Sequence, residues 1–349
     1  MKRTKVCIIG HFGFGETLLN GQTVKTKIIA GELTSRFGES EVNKLDTRFG
    51  KRNLLAMVFK TARALKNCDD LVMLPAHNGI RFFAPILNFW NYFYRRRLHY
   101  AVIGNWLPDM LKKRRSLARK LKKFTTIAVE TETAHKTLLA MGFNNLIVMP
   151  NCKELVAIDK GSLQINTVEP YKLCTFSRVN AKKGIEDAIE AVKAANERAG
   201  REFYTLDIYG QIENEYKERF CELQKGFPPF ISYKGQIDFD KSVDTLKDYT
   251  ALLFPTQYYT EGVPGTVIDA YAAGVPVISS RWESFEDVIA DNKTGIGYEF
   301  GKNEQLTEIL CGYGKTIELL SSYKANCIDA YENYSPNKVL NKLIERMGK

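Results

Sequence analysis

The sequence predicts an α/β fold of two Rossmann-like domains in tandem, and three observations predict it. The chain has 349 residues, about twice a typical domain, so two separate cores are expected. Both halves alternate short β-branched runs with amphipathic helical stretches, the pattern of a parallel sheet covered by helices. Between the halves, residues 152–170 are polar and aperiodic and end in Val-Glu-Pro, as a linker does. Residues 1–160 are therefore assigned to an N-terminal domain and 161–334 to a C-terminal one. A last helix, at about 335–349, is placed to pack back on the first.

In order, "KVCIIG" (5–10) reads as a buried first strand and "GQTVKTKIIAGELTSRFG" (21–38) as an amphipathic helix closed by glycine. "DLVMLPA" (70–76), "HYAVIG" (99–104), "TTIAVE" (125–130) and "NLIVMPN" (145–151) read as further strands. From Leu107 an apolar face of Leu107, Met110, Leu111, Leu117, Ala118, Leu121 and Phe124 marks one helix, with Arg114 interrupting that face. The second series opens with the strand "YKLCTFSRV" (171–179) and the helix "GIEDAIEAVKAANERAG" (184–200). "YTLDIYG" (204–210), "FISYKGQ" (230–236), "YTALLFPT" (249–256) and "VPVISS" (275–280) follow as strands. Ligands of such sheets sit beyond the carboxyl ends of the strands, which makes a cleft between two facing domains the expected site.

Composition excludes several classes. The N-terminus lacks the features of a signal peptide, and no uncharged apolar run reaches the roughly 18 residues of a membrane span. Seven scattered cysteines without a Cys-x-x-Cys pair predict buried thiols in a reducing cytoplasm, with neither a disulfide framework nor a zinc site. The net charge of +10 is local: eleven cations face one acid, Asp109, between Phe89 and Phe124.

Four stretches carry candidate chemistry. "GHFGFGETLLNGQT" (10–23) leaves the first strand and enters a helix, so the backbone at Gly13 and Gly15 can approach an anion. Its spacing departs from the dinucleotide Gly-x-Gly-x-x-Gly, because Leu18 holds the third place. A loop without ligand and an acceptor loop both fit it. "SRVNAKKG" (177–184) sets Arg178 and Lys183 at the end of a strand, where two cations suit a diphosphate or are solvated loop charges. "YTEGVPG" places Glu261 just before a helix whose first N–H groups would face the same space. Asp269, about one turn into that helix, takes a diol if it faces the cleft and is a solvated helix residue if not. "DFD" (238–240) precedes a helix, where aspartate caps routinely, so it is not read as a metal site.

"EGVPGTVIDAYAAGVPVISS" resembles the Glu-x7-Glu signature of retaining GT-B glycosyltransferases of family 4, the glycosyl transferases group 1. "FSRVNAKKGIEDAIEA" resembles the phosphate-binding segment of the same enzymes, and "LDIYG", "YKGQI", "LLFPT" and "DNKTGIGYEF" fall in the family's order. The resemblance is tight over 171–300 and loose over 1–150. It implies a GT-B fold and a UDP- or GDP-sugar donor, with no cofactor and no metal. In it Arg178 and Lys183 would hold the diphosphate and Glu261 the donor sugar. Gly262, Val263, Pro264, Gly265 and Thr266 would touch sugar and phosphate, and Asp269 the ribose. Gly210, Gly235, Gln236 and Ile237 would lie about the base. It further implies retention of configuration by front-face attack. Two departures stand out: the second acid is Asp269 where glutamate is usual, and "GNW" (104–106) stands where many relatives carry histidine. Asn105 and His77 are accordingly only candidates for the acceptor side.

"RFFAPILNFWNYFYRRR" (81–97) and the basic helical face after it predict a peripheral membrane surface. Trp90 and Phe93 would sit at headgroup depth. Arg95, Arg96, Arg97, Lys112, Lys113, Arg115, Arg119 and Lys120 would meet the anionic lipid of the inner leaflet. The expected enzyme is thus a cytoplasmic, membrane-associated transferase that acts on a lipid-linked glycan in capsule, O-antigen or exopolysaccharide assembly. A soluble transferase or phosphorylase with a small acceptor is the alternative. A nucleic-acid partner is disfavoured, since it would leave Arg178, Lys183 and Glu261 unexplained.

Overall fold

The computed structural model describes residues 3–13, 21–47 and 54–348. The chain divides into two compact units, residues 1–154 with 334–349 and residues 155–333. Gly15 lies outside the described residues.

The first unit runs β1 (Thr4–Gly10), α1 (Gly21–Phe37), β2 (Val42–Asp46), α2 (Leu54–Lys66), β3 (Cys68–Met73) and α3 (His77–Tyr94). It continues with β4 (Arg97–Ala101), α4 (Leu107–Lys113), α5 (Arg115–Leu121), β5 (Thr126–Val129), α6 (Glu132–Ala140) and β6 (Leu146–Val148). All pairings are parallel, in the order β2-β1-β3-β4-β5-β6. β1 is buried throughout its second half because both sheet faces are covered. The chain's last helix, Pro336–Ile344, covers part of one face: Val339, Leu340 and Leu343 join Val6, Ile8, Ile29 and Leu33 in one cluster. The sequence reading places no strand at Val42–Asp46, whose polar composition suits an edge.

The single helix expected from Leu107 is two short ones. Arg114 leaves the helical region (φ −134°, ψ 68°) and separates α4 from α5. That break resolves the interruption in the apolar face. Leu107, Met110, Leu111, Leu117, Leu121 and Phe124 are all buried core, while Arg114 turns outward.

At the amino ends of β3 and β4, Asp70 is buried opposite Arg97. Arg97 donates from Nε (2.7 Å) and Nη2 (2.9 Å) to the two carboxylate oxygens, and His99 Nε2 donates at 3.0 Å. Burial alone would raise the Asp70 pKa, but the bonds from Arg97 and His99 outweigh it and hold the carboxyl below its usual range.

The second unit runs β7 (Tyr171–Phe176), α7 (Ile185–Ala199), β8 (Tyr204–Tyr209), α8 (Lys217–Lys225), β9 (Ile231–Gly235), α9 (Ser242–Leu246) and β10 (Ala251–Phe254). It ends with α10 (Gly265–Ala272), β11 (Val277–Ser280), α11 (Phe285–Val288), β12 (Gly295–Tyr298), α12 (Glu304–Leu310) and α13 (Tyr313–Tyr331). Its parallel order is β12-β11-β10-β7-β8-β9. Both units are thus Rossmann-like sheets of six strands.

Arg97→Ala strands a buried carboxylate and is expected to cost roughly 2–4 kcal/mol, seen as a lower Tm. Because the folded pKa of Asp70 is depressed, its contribution is full above the unfolded value of about 3.9 and drains as pH falls through the folded one. Denaturant titrations between about pH 2 and 5 should show a shallower acid loss in Asp70→Asn than in the parent.

Candidate functional site

In the second unit the strand order reverses between β7 and β10. From β7 the chain winds outward through β8 and β9; from β10 it winds the other way through β11 and β12. The crevice between two such strands at their carboxyl ends is where ligands of doubly wound sheets bind. Two of the sequence candidates meet there, Lys183 after β7 and Glu261 after β10.

The elbow after β7 is built by capping and by glycine. Asn180 caps a 3₁₀ turn over Ala181–Lys183, its Oδ1 accepting from Lys183 N at 3.0 Å. Gly184 follows at φ 68° and starts α7. A Cβ there would lie 1.9 Å from the Pro255 carbonyl oxygen, so only glycine lets this elbow press on the end of β10. Gln257 N then donates to Lys182 O at 2.8 Å, and Gln257 Nε2 to Asp187 at 2.8 Å. These contacts fasten the two loops together.

Lys183 Nζ forms an ion pair with Glu261 Oε1, and Thr256 Oγ1 donates to the same oxygen at 3.3 Å. Both charged side chains are largely covered, at 11% and 17% exposure. The ammonium also stands 5.2 Å from the Phe254 ring centre and 5.1 Å from that of Tyr258. Arg178 is exposed and turned to Glu213, at 2.5 Å. Tyr258 lies near both pairs: burial raises its hydroxyl pKa, and Glu213, Arg178 and Glu261 all act on it. Beyond Glu261, Pro264 precedes α10, and Val267 N and Ile268 N return to the Pro264 carbonyl. The N–H groups of Gly265 and Thr266 are the orphan donors of that helix start. Gly262, Val263 and Pro264 are buried against them.

Asp269 is neither open nor solvated. It is 1% exposed, and its Oδ1 accepts from Ser242 Oγ of α9 at 3.0 Å. Gly210 and Gly235 are brought together at the ends of β8 and β9, Gly210 N donating to Gly235 O at 2.8 Å. Gln236 is exposed and Ile237 half-buried in the loop that follows. The sequence reading misses Tyr258, Thr256, Gln257 and Glu213. Tyr258 had a signal, its aromatic pair with Tyr259 beside Glu261, but a ring's cation partner is set by the fold.

In the first unit the order reverses between β1 and β3. Gly13 (φ 61°) follows β1, and His77 opens α3 after β3, its ring tilted 5.1 Å from Trp106. Asn105 is 3% exposed and accepts from Thr131 Oγ1 at 2.8 Å. Lys25 and Glu130, unmarked in the sequence, form a buried ion pair at 2.5 Å close to Val102.

The proposed membrane residues separate into two groups. Trp90 packs on the core and Arg97 is committed to Asp70. Arg96 donates to the Lys66 carbonyl, and Lys112 pairs with Asp109 at 2.8 Å. Phe93, Arg95, Lys113, Arg115 and Arg119 are exposed, and Lys120 is half-buried. Phe89 and Tyr92, in the stretch the sequence reading marks, are exposed as well, as are Leu54, Leu55 and Phe59 of α2. Among the described residues no helix is long and apolar enough to cross a membrane, and no three His, Cys, Asp or Glu side chains gather to hold a metal.

Residues 160–311 match the family described as Glycosyl transferases group 1. The match covers the β7–β10 crevice and both of its charged residues. Over 191 residues the chain is 25% identical to the amylovoran biosynthesis glycosyltransferase AmsK of Erwinia amylovora, covering 52% of this chain and 46% of that one. Over 133 residues it is 26% identical to the putative colanic acid biosynthesis glycosyltransferase WcaL of Escherichia coli, covering 36% and 32%. The chain spans about half or less of the length of these curated relatives. Among solved structures, Anabaena Alr3699/HepE in complex with UDP aligns at TM-score 0.74 and 14% identity, over 98% of this chain and 99% of that one. The fold is that of the GT-B glycosyltransferases.

Gly184→Ala should lose roughly 3 kcal/mol or more, because positive φ and a backbone clash add. Gly200→Ala is the control: its φ is 65° but nothing lies within 4 Å of the added carbon. It should lose only about 1–2 kcal/mol. Thermal melts of the two variants measure the difference, and equal losses would contradict the close packing of Gly184 on Pro255.

Proposed function

We propose that this protein is a retaining glycosyltransferase that moves a sugar from a nucleotide diphosphate donor to a glycan acceptor. The observation that carries the reading is the covered Lys183–Glu261 pair at the β7–β10 switch point. A cation and an acid held together at the end of a sheet, beside a helix N-terminus, match the two ends of a sugar diphosphate. The ammonium suits the phosphate and the carboxylate suits the sugar hydroxyls. The UDP named in the HepE complex supports a uridine diphosphate donor.

In this reading the site balances its own charge through the Lys183–Glu261 pair. When the diphosphate enters, Lys183 turns from Glu261 to the phosphate oxygens, and Arg178 leaves Glu213 to do the same. Glu261 then takes hydroxyl protons of the donor sugar, and the N–H groups of Gly265 and Thr266 take a phosphate oxygen. The backbone from Gly262 to Pro264 bounds the sugar, and Gly210 with Gly235–Ile237 bounds the base. Assigning the ribose to Asp269 requires its covering layer to open on binding, since it is 1% exposed.

The glycosidic bond to the diphosphate breaks as the acceptor oxygen attacks the same face. The departing phosphate oxygen receives the acceptor's proton. Cations poised at that oxygen stabilise charge that develops only in the transition state, so no metal is invoked. Gly13 and His77 stand at the first unit's own switch point, and with Asn105, in the loop after β4, are assigned to the acceptor side.

The named relatives act in amylovoran and colanic acid biosynthesis, which supports an envelope polysaccharide as product. The exposed aromatics and cations of the first unit support a lipid-linked acceptor reached from an anionic, inner-leaflet membrane surface.

Lys183→Ala should weaken calorimetric binding of UDP by roughly tenfold to a hundredfold, the worth of a charge-assisted contact. Glu261→Ala should instead leave UDP affinity equal or higher, because Lys183 is released from its internal partner, while transfer falls by at least about a hundredfold. A Glu261→Ala enzyme with near-parental turnover would overturn the site.

A further inference from the structure

The break at Arg114 opens a pocket that no part of the transfer reaction uses. It has a volume of about 450 Å³ and is lined by Arg81 and Pro85 of α3, Lys113 of α4, Arg114 itself, and Arg115, Ser116, Leu117 and Lys120 of α5. Five of these carry positive charge and none is acidic. The one acid of the neighbouring sequence, Asp109, is turned to Lys112 at 2.8 Å. Gathering five like charges around one cavity costs free energy through their mutual repulsion, and an anion among them offsets that cost. Guanidinium forks, ammonium groups and the Ser116 hydroxyl are together the donor set of a phosphate site.

The pocket's position indicates the source of the phosphate. Arg81 and Pro85 lie on one stripe of α3, at the spacing of successive helical turns, and the stripe continues to Phe89 and Tyr92. Phe89, Tyr92 and Phe93 are 60%, 78% and 61% exposed. From Arg81 to Phe89 is about 12 Å along a helix axis. Between them Asn88 Nδ2 donates to the Lys120 carbonyl at 3.2 Å and ties α5 to α3. An open, cation-lined pocket thus stands about 12 Å along α3 from outward aromatic rings on the same helix.

We propose that this pocket binds the phosphate of a lipid headgroup. The inference rests on the membrane reading above and makes it specific: lipid is seated at one site and not only attracted by a diffuse field. Pro85 and Leu117 supply apolar wall for the glycerol portion, and the rings of Phe89, Tyr92 and Phe93 enter the boundary between headgroups and acyl chains. Nucleic acid shares the phosphate chemistry, but this is a single open concavity at a helix break, beside exposed aromatic rings, not a groove that tracks a backbone.

The test compares three full-length proteins: the parent, Arg81→Gln/Arg114→Gln, and Arg119→Gln/Lys123→Gln. The last pair is exposed and outside the pocket, so it removes the same charge. Binding is measured by flotation with phosphatidylcholine vesicles with and without phosphatidylglycerol, and against a duplex DNA at the same salt. All four positions are exposed, and matched melting temperatures verify that both variants fold. The parent should float only with phosphatidylglycerol. The pocket variant should bind about 30-fold more weakly or worse, and the control at most about fivefold. Equal losses in the two variants would overturn the pocket while leaving a membrane surface in place. A parent that ignores anionic vesicles would overturn the membrane reading itself. Tighter binding to duplex DNA than to vesicles would assign the pocket to nucleic acid and overturn the lipid.

Discussion

The close approach of Gly184 to the Pro255 carbonyl is the contact on which the second unit's site depends. β7 and β10 are neighbours whose following chains wind in opposite directions, so their loops diverge unless something holds them. A residue without a side chain, in a conformation that only glycine adopts cheaply, lets the β7 elbow rest directly on the end of β10. Lys183 is the next residue back, and its ammonium reaches a carboxylate 78 positions away in sequence. The cation and the carboxylate proposed to meet the two ends of a donor are therefore positioned by backbone packing, which lowers the cost of ordering them on binding.

The electrostatics follow from that placement. A lysine covered by two aromatic rings would be expensive without an anion, and Glu261 provides one from inside the protein. The carboxylate is in turn oriented by Thr256. In the proposed reading an incoming diphosphate would exchange one anion for another around Lys183, so binding would not have to desolvate a bare charge. In the same reading Arg178, paired with Glu213 at the surface, would make a like exchange and gain less because it is already hydrated.

The second unit was largely legible in its sequence because its elements announce themselves locally. Strand and helix alternate, glycines mark the elbows, and the Glu261 and Lys183 segments each carry a recognisable order of residue types. What was not legible depends on distance in the chain. Tyr258 as a cover for Lys183, Glu213 as a partner for Arg178 and Ser242 as a partner for Asp269 are all set by tertiary contact. β2 was missed because an edge strand with polar residues lacks the apolar run that identifies its neighbours. The helix break at Arg114 was visible only as an irregularity: periodicity showed that Arg114 did not fit the apolar face, and the structure met the conflict by breaking the helix and not by burying the charge. Trp90 and Arg97 read as surface from composition, yet one is half-buried against the core and the other, though partly exposed, is paired with the buried Asp70.

The central claim is that Lys183 exchanges Glu261 for a phosphate oxygen. The most direct measurement is the ¹⁵N–¹H signal of the Lys183 ammonium, assigned by loss in Lys183→Arg, as UDP is titrated into the parent and into Glu261→Gln. The expected result is a large shift in the parent that saturates with UDP, from a starting position that the Glu261→Gln protein no longer shows. A Lys183 signal that stays where it began while UDP binds elsewhere would contradict the exchange.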